Sequence, residues 1–71
     1  MRVYVIEVCP EGGVSRISQE GYDSLEKAQA FVEGRGDKPQ QLAPFHYCSG
    51  KNTGGVWRNF TDYLIHDILV R

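Results

Sequence analysis

Gly21-Tyr22-Asp23-Ser24-Leu25-Glu26-Lys27-Ala28-Gln29-Ala30-Phe31-Val32-Glu33-Gly34 decides the fold class, because here the spacing of apolar residues changes from two to about 3.6. Leu25, Ala28, Phe31 and Val32 fall on one helical face, while Glu26, Lys27, Gln29 and Glu33 fall elsewhere. Ser24 or Asp23 can cap the first turn. With Asp23 as the cap, Glu26 takes the capping-box position, and an acid there suits the positive helix end. Gly34 is expected to end the helix in the left-handed conformation that glycine adopts without penalty. A helix of about ten residues holds only when it packs on something else.

The flanks supply that something. Upstream, Tyr4, Ile6 and Val8 alternate with Val3, Val5 and Glu7, which predicts a strand over Val3–Cys9. Pro10-Glu11-Gly12-Gly13 then reverses the chain into a second strand around Val14–Gln19. Downstream, Arg35–Pro44 carries two prolines and two glutamines and reads as a connector. Phe45–Cys48 reads as a short strand. Ser49-Gly50-Lys51-Asn52-Thr53-Gly54-Gly55 reads as a mobile hairpin tip, and Val56–Phe60 as the returning strand. Tyr63–Val70 fits either a buried strand or a helix capped by Thr61, and the strand is preferred. Its apolar residues on both faces mark a central strand, or one covered by a second subunit. The class is therefore α+β: one compact domain, residues 1–71, with a small antiparallel β-sheet of four to five strands and one amphipathic helix in ββαβββ order.

Seventy-one residues allow one core, since a chain this short buries only about 60% of the surface its unfolded form exposes. With 41% hydrophobic and 24% charged residues, the composition is that of a globular protein rather than a disordered one. Val3–Val8 is too short to span a membrane and lacks the features of a secretory leader, so an intracellular, cytoplasmic location is expected. In that reducing setting Cys9 and Cys48 are expected to remain thiols. The net charge of −1 hides an uneven distribution: residues 1–37 hold seven acids and four bases, whereas 38–61 hold Lys38, Lys51 and Arg58 and no acid. The same acid-free segment contains Phe45, Tyr47, Trp57 and Phe60.

Several motifs carry chemistry only on paper. Ser49–Thr53 resembles the end of a phosphate-binding loop, but Phe45 stands where glycine is required and Asn52 follows the lysine. Simple anion binding by the amides of Gly50, Gly54 and Gly55 with Lys51 remains open beside a plain hairpin turn. Cys9, His46, Cys48 and His66 are zinc-ligand types without ligand spacing, and with Asp67 they can be drawn as a cysteine-nucleophile set that has no evident cleft. Buried thiols and surface histidines are the simpler account. Arg35-Gly36-Asp37 and Asn59-Phe60-Thr61 spell adhesion and glycosylation signals that need a secreted chain. Rings and cations in the acid-free segment suit stacking on bases, although three basic residues are few for nucleic acid.

The order of elements, the phrase Glu20–Glu33 followed by Arg35, and Tyr63-Leu64-Ile65-His66-Asp67-Ile68 at the end resemble small proteins encoded by bacteriophages and mobile elements. That resemblance implies a host-interaction or anti-defence role, such as an anti-CRISPR-like inhibitor acting in the host cytoplasm. A second resemblance is local: Tyr22–Ala28 through Val32-Glu33-Gly34 is similar to the first helix of the hybrid-binding domain of ribonuclease H. That family has tryptophan where Leu25 stands and a Phe-Pro-Gly-type turn where Arg35-Gly36-Asp37 stands. It implies nucleic-acid binding.

These observations together predict a non-enzymatic interaction module, expected to be a homodimer, that covers a macromolecular protein partner through the Phe45–Phe60 hairpin and an available strand edge. Tyr47, Lys51, Trp57 and Arg58 are the expected contacts, tryptophan and arginine being common interface anchors. No cofactor, metal or membrane is called for. The competing reading is a small nucleotide- or nucleic-acid-binding domain that uses Gly50, Lys51, Gly54 and Gly55.

Overall fold

A computed structural model describes residues 1–18 and 20–70, without the side chains of Lys51, Asn52, Trp57 and Asn59. Its elements run β1 (Arg2–Pro10), β2 (Arg16–Ile17), α1 (Leu25–Glu33), β3 (Gln40–Ala43), β4 (His46–Thr53) and β5 (Val56–Leu69). The five strands form one antiparallel sheet in the order β2-β1-β5-β4-β3. The α+β class and the ββαβββ order stand as read from the sequence. No helix among the described residues is long and apolar enough to cross a membrane.

Side chains of adjacent strand residues point to opposite faces. Ile6, Tyr63, Ile65 and Tyr47 on one sheet face join Ala28 and Val32 of α1 in the core, with Tyr4, Val8, Tyr22 and Leu25 packed around them. Each fully buried aliphatic side chain contributes about 1.5–3 kcal/mol, so a cluster this small leaves little margin. Ser24 is the N-cap, its Oγ accepting from the Lys27 N–H at 3.2 Å, and Asp23 instead pairs with Lys27 one turn on.

The C-terminal half departs from expectation in its boundaries. The stretch 40–43, read as connector, is the edge strand β3, because Gln40 and Gln41 find ladder partners in Cys48 and Tyr47. Ser49–Thr53, read as a mobile tip, is the second half of β4; the tip is only Gly54–Gly55, between Thr53 and Val56. Val56–Phe60 and Tyr63–Val70, read as two strands, merge into one fourteen-residue strand, β5, which ends at Leu69. Gly34 caps α1, but with φ −83° and not in the left-handed region. The second strand is reduced to Arg16–Ile17, and Gln19, its expected end, lies outside the described residues.

Candidate interaction surface

β4 and β5 outrun their neighbours. β3 pairs with β4 only at His46–Cys48, and β1 reaches β5 only from Thr61 to Leu69, so Gly50–Asn59 is a two-stranded arm. The arm gives the molecule its length, 48 × 23 × 18 Å along its principal axes. Gly54 (φ +59°) and Gly55 (φ +82°) close its end as a two-residue turn of the primed kind, whose twist matches that of paired strands.

The base of the arm is tied to the β1–β2 turn. The ladder shifts register at Ser49–Gly50, where Ser49 stands opposite Thr61 and Gly50 opposite Asn59, leaving Phe60 as the extra residue of a bulge. The Phe60 carbonyl accepts the Glu11 N–H at 2.6 Å. The Arg58 guanidinium reaches Glu11 Oε1 at 3.3 Å and lies 5.9 Å from the centroid of the Phe60 ring. Phe60 and Val56 are exposed, and the backbone register sets Lys51 opposite Arg58 and Asn52 opposite Trp57.

The expected contact residues therefore separate. Arg58 is on the arm. Lys51 and Trp57 hold arm positions by backbone register, and their side chains lie outside the described residues. Tyr47 is 1% exposed in the core, with its hydroxyl donating to Glu33, so its ring offers no contact surface. Phe60 was passed over as a contact. Its ring lies 5.9 Å from the Arg58 guanidinium, two residues along the same strand, a spacing that alternation in the sequence already displays. Of the glycines weighed as an anion cradle, Gly54 and Gly55 form the tight turn and Gly50 stands in the ladder at the bulge.

Cys9, His46, Cys48 and His66 all lie on the sheet face opposite α1, yet among the described residues no three metal-ligand types converge. β5 runs between the strands of Cys9 and Cys48, which sets their backbones about 9.6 Å apart and beyond disulfide reach. Burial, with Asp62 alongside, pushes the Cys48 thiol above its ordinary range, and the thiol donates to the Ser49 carbonyl at 3.3 Å. Burial, with Glu7 close by, likewise raises Cys9. Thiols shifted upward are poor nucleophiles at neutral pH. Asp62 is the partner of His46 at 2.9 Å, and Asp67 is held by Arg2.

A shallow pocket of about 260 Å³ lies between β1 and β2, lined by Val8, Pro10, Gly13, Val14 and Arg16. Comparisons of the chain with protein-family models, curated proteins and solved structures found no match.

Proposed function

We propose that this protein is a non-enzymatic interaction domain whose β4–β5 arm binds a protein partner and covers the partner's surface without making or breaking a bond. The projecting arm is the observation that carries this reading. A two-stranded ribbon is at best marginally stable alone in water, so a ten-residue extension beyond the sheet gains from a partner laid along it. Its strand edges also present unpaired N–H and C=O groups that another chain can meet.

The partner favoured by the charges is acidic. Residues 38–61 contribute cations and no carboxylate, and among the described residues the acid bonded to Arg58 is Glu11 of the β1–β2 turn. Arg58 and Phe60, with Lys51 and Trp57 at neighbouring arm positions, are the residues assigned to contact. The resemblance to phage-encoded proteins supports an inhibitor of a host defence component as the biological form of this activity.

The test is capture from bacterial lysate on immobilised protein, with mass spectrometry of the eluate, run beside an Arg58→Ala, Phe60→Ala variant of unchanged circular dichroism. A stoichiometric protein held by the parent and lost by the variant is the expected result. Equal retention by both would remove the arm from the interface. Recovery of nucleic acid alone would replace this reading with the nucleic-acid one.

A further inference from the structure

The sheet face opposite α1 is covered by no other element among the described residues, and its side chains form a pattern that is complementary to itself. The row through its centre is Ile17, Glu7, Leu64, His46 and Ala43, one residue from each strand. Along β5, His66 and Asp62 stand on either side of Leu64 on the same face. Leu64 is thus the centre of a diamond whose corners are Glu7, His66, His46 and Asp62. Within the chain Glu7 bonds His66 at 2.8 Å and His46 bonds Asp62 at 2.9 Å. Val3, Val5, Ile17 and Ile68 make the remaining quarter of the face apolar, and Ile17 and Ile68 are 62% and 45% exposed.

From this we infer that a second copy of this chain packs on the open face, sheet against sheet, about a two-fold axis through Val5 and Leu64. An axis along that diagonal turns the strands of one copy nearly perpendicular to those of the other, one of the two usual ways in which sheets stack. It sets Glu7 of each copy against His66 of the other and Asp62 against His46, and it sets Ile17 against Ile68. Turning about the strand direction instead would stack Asp62 on Asp62. Each acid thus meets a histidine only in the diagonal arrangement, and the apolar quarter meets itself.

The chain exposes 5090 Å², whereas a compact monomer of 8.0 kDa exposes about 4450 Å². The excess of about 640 Å² includes the surface of the projecting arm, and a standard interface buries roughly 800 Å² on each partner. A small core also gains from association. Both arms lie outside the stacked region, so the dimer leaves them free, and the inference does not depend on what the arm binds.

Light scattering coupled to size exclusion tests it. The parent is expected at twice the 8.0 kDa chain mass, and Ile17→Lys at the mass of one chain with unchanged circular dichroism. The double variant Ile17→Lys, Ile68→Glu is expected to recover the dimer, because the two positions are far apart within one chain and meet only between copies. If Ile17→Lys does not fold, Ile68→Glu alone takes its place, at a position that is 45% exposed. A parent that is monomeric up to millimolar concentration overturns the inference. So does a folded single variant that stays dimeric, which would locate the contact at a strand edge. Arg58→Ala should leave the mass unchanged, so loss of partner capture and loss of the dimer are separate readouts.

Discussion

The hydroxyl of Tyr47, on β4, donates to Glu33 Oε2 at the end of α1 over 2.6 Å. Tyr63 makes a matching bond to Asp37 Oδ2 at 2.6 Å, and the Arg35 guanidinium lies 5.6 Å from the Tyr63 ring and 5.8 Å from that of Phe31. Two core tyrosines therefore pin the helix end and the loop after it to the sheet through polar tips at the rim of an apolar cluster. Tyr47→Phe removes one of these ties while keeping the ring, and should cost about 0.5–1.5 kcal/mol. A midpoint fall of about 4–8 °C per kcal/mol in a thermal melt is the expected reading for a domain of this size.

The same pair makes stability depend on pH in the alkaline range. Burial first, and then the bond to Glu33, push the Tyr47 hydroxyl up to about 12 from its ordinary 10.0. A folded-state value above the unfolded one gives stability that is complete below pH 10.0 and is lost as pH rises toward about 12. Melts across that window should show a falling midpoint in the parent and a shallower fall in Tyr47→Phe. Identical slopes would exclude Tyr47 as the group responsible.

Glu7 contributes to the acid dependence of stability. Its hydrogen bond from His66 holds the carboxyl below the usual glutamate range. A lowered folded-state value gives stability that is present above the unfolded pKa and is lost as pH falls through the folded one. Midpoints measured from neutral pH down into the acid range should therefore decline, and Glu7→Gln should flatten part of that decline. A Glu7→Gln profile that parallels the parent would assign the acid limb to other carboxylates.

At the tip of the arm, both turn residues have positive φ and an added Cβ would meet nothing within 4 Å. Asparagine tolerates that conformation and is favoured at the first position of such a turn, so Gly54→Asn should stabilise by about 0.4–1 kcal/mol through a less free unfolded chain. Gly55→Val places a β-branched residue there and should destabilise by about 1–2 kcal/mol. Denaturant midpoints of opposite sign for the two variants are the expected outcome.

Gly21 is needed for a different reason. A Cβ built there collides with Cγ1 of Val3, at the point where the Tyr22 backbone pairs with Tyr4 in both directions at 2.8 Å. Gly21→Ala should lower stability by about 1–3 kcal/mol by forcing this overpacked approach apart. Gly21→Ala with Val3→Ala should recover part of the loss, as chemical denaturation of the two variants would show.

Local pattern alone determined the amphipathic helix at 25–33 and the strand before it, while it left Tyr63–Val70 open between a strand and a helix, which pairing with β1 and β4 made part of β5. Periodicity is written into Leu25, Ala28 and Val32 and into Tyr4, Ile6 and Val8, and it survives whatever those residues pack against. Ser24 was likewise legible as a cap, since its hydroxyl acts three residues away. What only the tertiary structure decided was the work of partners distant in the chain. Gln40 and Gln41 became a strand because Cys48 and Tyr47 offered ladder partners, and Ser49–Thr53 stayed extended because β5 runs beside it, against a composition that favours turns. Cys9, His46, Cys48 and His66 share a face without sharing a site, and Tyr47 was drawn from the expected contact surface into the core. Strand pairing is a contact between segments far apart in sequence, so its register, and with it the arm and the open face, is settled only when the sheet closes.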